Sequence, residues 1–337
     1  MRAFAYERPR GAAEAVQMTA GGTMPPTVAP AQFLAGGTTI LDLMKLDTMR
    51  PLRLVDLGDV AGQFRDISAS AGELHLGAFV TMAEAAAHPA IRRDYPLIAQ
   101  ALELAASPQL RNMATLGGNV LQRTRCNYFR DPGWSACNKR EPGSGCAALT
   151  GVNRKHAVLG VSNKCIATYP GDFAQALIAL DAKVEIVGPS GARVLPFGEL
   201  HVSPDKDPSR ETILQPGDLI TGFSIPASAL ARRSLYLKIR DRQSYEFALA
   251  SAAVALDLDG GSIRDARVAL GGVATRPWRS HEAETALRGQ PLGEQSFRNA
   301  AYAAFVGAQV QNQNSYKPEL GRRTLIRALR QVAAMEA

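Results

Sequence analysis

Apolar residues recur along this chain in short runs separated by glycine, proline and charge, a pattern of alternating strands and helices. Phe4-Ala5-Tyr6 reads as a short strand and Glu14 to Ala20 as a helix. Gln32-Phe33-Leu34 is an apolar strand that runs into Ala35-Gly36-Gly37-Thr38-Thr39, and Ile40 to Lys45 reads as the next helix. Residues 52–56 and 74–79 pattern as strands. Thr81, with Glu84 three positions later, has the form of a capping box for a helix through Ala87. A longer helix is expected at about 96–106. Thr115-Leu116-Gly117-Gly118-Asn119 then reads as a second glycine-rich turn. Asp172 to Leu180 is helical in pattern, with strands at 183–187 and 218–225. Pro226 to Arg233 marks a boundary. Beyond it lie strands at 235–240, 247–256 and 266–271, then helices at about 280–287, 296–308 and 319–335.

Residues 121–165 break this rhythm. They carry little periodicity and much Gly, Pro, Asn and charge, and so long a structureless segment in a compact protein is usually functional. All four cysteines fall there: Cys126, Cys137, Cys146 and Cys165. The same stretch has eight basic residues (Arg123, Arg125, Arg130, Lys139, Arg140, Arg154, Lys155 and Lys164) against Asp131 and Glu141. That surplus of six is nearly the whole +7 of the chain.

Length and composition narrow the class. At ~150 residues per domain, 337 residues suggest two or three domains. With 46% hydrophobic and 20% charged residues the chain can build cores. The longest largely apolar stretch, Phe247 to Leu256, is far shorter than the ~20 residues of a membrane helix. The first residues show no apolar signal core and no twin arginine, so the cytoplasm is the default expectation. Periplasmic export alongside a signal-bearing partner stays open. No nucleic-acid partner is expected, and the five histidines form no hydrolase pattern.

Two features carry candidate chemistry. Paired glycines let backbone N–H groups approach a phosphate, and two such loops suit a diphosphate held between them. Neither loop is a G-x-G-x-x-G or a G-x-x-x-x-G-K-[ST], and two tight turns are the plain alternative. The cysteines are separated by 10, 8 and 18 residues, which is neither a compact ferredoxin run nor a paired zinc-ribbon spacing. An iron–sulfur cluster, zinc, disulfides and unrelated thiols all compete. Disulfides fit poorly without an export signal, and the basic surroundings suit either a cluster or a zinc tetrathiolate, each carrying about −2. Asp172 opens a helix and reads first as an N-cap. Lys238, near Arg240 and Arg242, reads first as part of a solvated strand edge.

Taken together, several motifs give the chain a family likeness. They are Phe4-x-Tyr6-x-Arg8-Pro9, Ala35-Gly36-Gly37-Thr38 with Leu41 and Lys45, Leu76-Gly77-Ala78-x-x-Thr81, and Thr115-Leu116-Gly117-Gly118-Asn119. Lys238 with Arg242, Leu270-Gly271-Gly272-Val273 and Pro277-Trp278-Arg279 complete the set. With them the chain resembles the FAD-binding medium subunit of the xanthine dehydrogenase and molybdenum hydroxylase family, from Phe4 to about Ala333. The resemblance implies an α+β fold. A two-subdomain FAD-binding domain would span 1–226, with subdomains of about 1–55 and 56–226. An α+β domain of the CO dehydrogenase flavoprotein type would span 234–335. It implies FAD contacts at Leu34, Ala35, Gly36, Gly37, Thr38, Thr39 and Ile40, and at Thr115, Gly117, Gly118 and Asn119. Gln122, Gly171, Asp172 and Ile220 complete the set, with Lys238 reaching towards the flavin and stabilising negative charge on its reduced form.

Xanthine dehydrogenases have a short connection between Asn119 and Asp172. Here a cysteine-rich insertion of about 121–166 stands instead. It is similar to the insertion of periplasmic-type aldehyde oxidoreductase medium subunits, which implies a 4Fe–4S cluster on the four cysteines. The implied function is electron transfer. A molybdenum-cofactor large subunit would oxidise an aldehyde, and electrons would pass through a 2Fe–2S small subunit to FAD on this chain. They would leave to an external acceptor such as ferredoxin or dioxygen, an acidic acceptor being drawn by the cations. A medium subunit of a 4-hydroxybenzoyl-CoA-reductase-like complex, and a metal-stapled assembly module without active flavin, are the two alternatives.

Overall fold

The computed structural model describes residues 1–21 and 26–336. Three sheets follow one another along the chain. The first is parallel, with β1 (Ala5–Glu7), β2 (Ala31–Leu34) and β3 (Arg53–Asp56) in the order β1-β3-β2. Helices Ala12–Thr19 and Ile40–Lys45 supply the crossovers that parallel pairing needs. The second sheet is antiparallel. It contains β4 (Ile67–Ala69), β5 (Glu73–Gly77), β6 (Lys183–Gly188), β7 (Gly191–Pro196) and β8 (Leu219–Pro226), in the order β4-β5-β8-β6-β7. The third, also antiparallel, runs β12-β11-β10-β9 through β9 (Ser234–Ile239), β10 (Ala250–Asp259), β11 (Ser262–Gly271) and β12 (Trp278–Arg279).

Two cores result. One joins the first two sheets and helices Pro96–Glu103 and Phe173–Ala179 through Val55, Leu76, Leu97, Phe173 and Phe223, and it reaches Ala253 and Ala269 of the third sheet. The other packs Ala252, Val254, Leu256, Val268 and Leu270 against helices His281–Leu287, Glu294–Ala303 and Lys317–Ala333. Strand β10 is thus covered on both faces, which explains its continuous apolar run. The face carrying Ala253 packs into the first core against helix Phe173–Ala179.

The capping box forms as patterned. Thr81 accepts from the Glu84 amide and the Glu84 carboxylate accepts from the Thr81 amide, opening helix Met82–Ala87. The expected turn at 115–119 is instead a one-turn helix, Leu116–Val120, capped by the Thr115 hydroxyl. Strands β4 and β7 have no counterpart in the sequence reading. Both are sheet edges, and neither has a fully buried residue to mark an apolar alternation.

Residues 121–166 contain only short helices, Asn127–Arg130 and Ala147–Leu149 among them. Val158 and Leu159 donate to the Val273 carbonyl, tying the segment to the end of β11.

Candidate functional site

The loop after β2 and the helix Leu116–Val120 meet at one open-mouthed cavity of about 290 Å³. Ala35, Gly36, Gly37, Thr38, Thr39 and Ile40 form one wall, and Thr115, Gly117 and Gly118 form the next. A third wall, from Arg210 to Ile220, brings Glu211, Leu214 and Asp218.

The two glycine loops contribute differently. The amides of Gly36, Gly37, Thr38 and Thr39 have no hydrogen-bond partner among the described residues, and Gly37 sits at a φ of 74° that favours glycine. These amides are available to anionic oxygens. The amides of the second loop are already engaged. Leu116 donates to Val80, Gly117 to Ala78, and Gly118 to the Thr115 hydroxyl. Among the described residues the first loop thus presents its free amides to the cavity, and the second lines it as a close wall. Gly36 joins the loops, since a Cβ there would stand 1.9 Å from the Met113 carbonyl oxygen.

Of the third wall, Ile220 alone is expected, and that from the family resemblance. Arg123 is buried, and its Nη1 has no partner, while Nη2 donates to the Ser209 carbonyl and pairs with Glu211. Arg210 likewise has a buried Nε without a partner. Free amides on one wall and unpaired guanidinium nitrogens on another fit a diphosphate-bearing cofactor such as FAD. Glu211 also pairs with Lys139 at 3.3 Å. Burial pushes the Glu211 carboxyl up, but Arg123 and Lys139 outweigh it and leave it below the usual range.

Of the other expected FAD contacts, Ile220 lines this cavity, and Leu34, Asn119, Gln122, Gly171, Asp172 and Lys238 do not. Leu34 closes β2, where its carbonyl accepts from Leu57. Asn119 donates to Met82 Sδ, and its Oδ1 is buried without a partner. Gln122 donates to the Asn119 carbonyl. Gly171 lies under the Tyr169 ring, 2.7 Å from where a Cβ would stand. Asp172 makes no capping bond. Its carboxylate instead accepts from Lys238 Nζ at 2.7 Å and from the Tyr236 hydroxyl at 2.6 Å. Lys238 is thus a buried ion-pair member, not a solvated strand edge.

The four cysteines, dispersed in sequence, line one small cavity with Tyr128, Phe129, Lys139 and Lys164. All four thiols are free. Burial pushes Cys126 up to about 12, whereas a hydrogen bond from Cys165 brings Cys146 down to about 7. The Ala167 amide donates to Cys165 Sγ, and His156 Nε2 lies 3.2 Å from Cys126 Sγ. Among the described residues no three His, Cys, Asp or Glu side chains converge as a single-ion site. The four thiols nevertheless line one small cavity, and thiols are the ligand type of iron–sulfur clusters and of structural zinc alike.

Most of the segment's cations have internal partners. Arg125 and Arg130 pair with Asp42, Arg154 with Asp241, and Lys155 with Glu246. Arg140 donates to the carbonyls of Tyr128 and Phe129, Lys139 to that of Pro208, and Lys164 to that of Asp205. The positive surplus therefore anchors the segment to its surroundings. Among the described residues no helix is long and apolar enough to cross a membrane.

Comparison with known proteins agrees with this architecture. Residues 2–228 match the FAD binding domain in molybdopterin dehydrogenase, and residues 235–332 match the CO dehydrogenase flavoprotein C-terminal domain. The chain is 44% identical over 335 residues to the aldehyde oxidoreductase FAD-binding subunit PaoB of Escherichia coli, covering 99% of each. It is 26% identical to the carbon monoxide dehydrogenase medium chain of Afipia carboxidovorans, over 89% of this chain and 85% of that one. A reconstituted CO dehydrogenase from Oligotropha carboxidovorans shares the fold, with a TM-score of 0.76 at 24% identity over 99% of both chains. Two matched domains spanning nearly the whole sequence, with the glycine-loop cavity inside the first, place this chain in the family of FAD-binding medium subunits of molybdenum hydroxylases.

Proposed function

We propose that this chain is the electron-transfer subunit of a molybdenum-dependent aldehyde oxidoreductase, carrying FAD and a 4Fe–4S cluster. The observation that carries the reading is the meeting of two sequence-distant glycine loops and the 210–220 wall at one cavity. The near-full-length likeness to an aldehyde oxidoreductase subunit supports the substrate class. FAD, when bound, would take electrons from a 2Fe–2S small subunit beside a molybdenum-cofactor large subunit and release them to an external acceptor, ferredoxin or dioxygen.

The chain's own residues position that chemistry. The amides of Gly36 to Thr39 would hold the diphosphate, and Arg123 and Arg210 would offer further donors. Ile220 and Leu214 would shield the cofactor from water. Asn119, Gln122, Gly171, Asp172 and Lys238 would form supporting contacts at its margin. Cys126, Cys137, Cys146 and Cys165 would hold the cluster, helped by amide donors such as Ala167.

An absorption spectrum of the purified complex, with flavin and iron assays and a Cys146→Ala variant, tests the reading. Flavin bands and about four irons lost in the variant are expected, with dye-coupled aldehyde oxidation by the intact complex. Flavin without variant-dependent iron would remove the cluster from the proposal. A complex that turns over a CoA thioester and no aldehyde would replace the substrate class.

A further inference from the structure

The two cavities are joined by one chain of charge. Arg123 and Glu211 line the glycine-loop cavity, and Lys139 lines the cysteine cavity. Glu211 sits between the two cations, 3.0 Å from Arg123 Nη2 and 3.3 Å from Lys139 Nζ. The two cations have side chains 6% and 9% exposed, so solvent screens this triad little.

The triad is the centre of a broader attachment. The loop from Asp205 to Glu211 leads into the third wall of the flavin cavity. It is gripped from the cysteine segment at three carbonyls: Lys164 Nζ donates to Asp205, Lys139 Nζ to Pro208, and Arg123 Nη2 to Ser209. Behind it, Arg123 stacks 4.7 Å from the centre of the Phe129 ring, which also faces the cysteine cavity. Lys139 and Lys164 thus each touch the cysteine cavity with one part and the flavin-wall loop with another.

We propose that Lys139, Glu211 and Arg123 form a joint through which the cysteine segment sets the flavin-cavity wall, so that filling the cysteine cavity strengthens FAD binding. The inference rests on the 4Fe–4S reading. Its physical basis is local. A negatively charged group held by four thiolates fixes Lys139 between itself and Glu211, and a fixed Glu211 fixes Arg123 and the 205–211 loop. An ordered wall no longer has to be ordered at the moment FAD binds. Coupling of this kind is reciprocal, so bound FAD should retain iron to the same degree. Lys139 and Glu211 are positioning residues here.

The test uses the assembled complex, stripped of FAD and titrated with FAD by fluorescence quenching, with iron measured on each sample. Lys139→Met and the milder, more exposed Lys164→Met should keep their iron and bind FAD about fivefold or more weakly, the lower end of usual coupling factors. Lys139→Arg should restore most of the affinity. In Glu211→Gln, which keeps the shape of the side chain but removes the anion that holds both cations, FAD should bind more weakly with iron retained, as in Lys139→Met. Wild-type affinity in both lysine variants, with iron retained, would overturn the joint and leave the cluster standing. A wild-type complex with no iron beyond that of its 2Fe–2S subunit, and none lost in Cys146→Ala, would instead remove the reading on which the joint rests.

Discussion

Lys238 and Asp172 stand 2.7 Å apart with side chains 1% and 4% exposed, linking β9 to the start of helix Phe173–Ala179. Tyr236 and the Leu104 carbonyl complete their hydrogen bonds. Removing one partner strands a charge where water cannot reach it, at ~3–5 kcal/mol, whereas removing both strands none. Lys238→Met should therefore lose about that much stability in urea unfolding of the full chain, and Lys238→Met with Asp172→Leu should recover most of it. Equal losses in the single and double variants would refute the argument.

Gly36 gives the sharpest steric prediction. A Cβ there would lie 1.9 Å from the Met113 carbonyl oxygen, a backbone atom that cannot swing aside. Gly36→Ala should push the two loops apart and purify without flavin. Gly62→Ala is the control, since nothing lies within 4 Å of its Cβ position. Flavin content, read as the ratio of 450 to 280 nm absorbance, should fall only in the first.

These two sites differ in how far the sequence revealed them. Both glycine loops were legible as candidates because paired glycines let a backbone approach a ligand closely, and the Thr81 capping box because its chemistry is local. Asp172 looked like a cap because its position is a capping position, but its carboxylate turned to a lysine 66 residues away. Apart from Ile220, which the family resemblance implied, the Arg210–Ile220 wall was silent for the same reason. Glu211 acquires its meaning only from Arg123 and Lys139, which reach it across the fold. The basic surplus was visible, but its inward pairing to Asp42, Asp241 and Glu246 was not.

His201 should make stability fall between neutral and mildly acid pH. Burial, helped by the Arg276 cation, pushes the ring down to about 3, and it packs edge-on against Tyr169 at 5.1 Å and Phe197 at 5.5 Å. The folded chain holds it neutral, while the unfolded chain takes a proton near 6.5. Its contribution is whole above that pH and is lost as the pH falls from there towards 3. At pH 5 the loss should be about 2 kcal/mol. His201→Phe should flatten the pH 7 to pH 5 difference in urea midpoint by a comparable amount. An unchanged difference would assign the acid sensitivity to other groups.

The contact between the third sheet and the FAD-binding region turns on Arg279. Its guanidinium donates to the Ile178 carbonyl at 3.0 Å, pairs with Asp181, and pairs with the fully buried Glu284. Glu284 also accepts from the Val268 amide at 3.0 Å, with Arg288 3.5 Å away. The two partners are therefore not equivalent. If Arg279 is lost, Glu284 keeps its charge at zero exposure with one distant cation, and Asp181 loses a partner as well. If Glu284 becomes neutral, Arg279 still has Asp181 and the Ile178 carbonyl, and an amide at 284 can still accept from Val268. Arg279→Met should cost ~3–5 kcal/mol and Glu284→Gln ~1–3 kcal/mol. Urea unfolding of the two variants side by side measures the asymmetry, and a larger loss in Glu284→Gln would mean that Arg279, not Glu284, is the group left stranded.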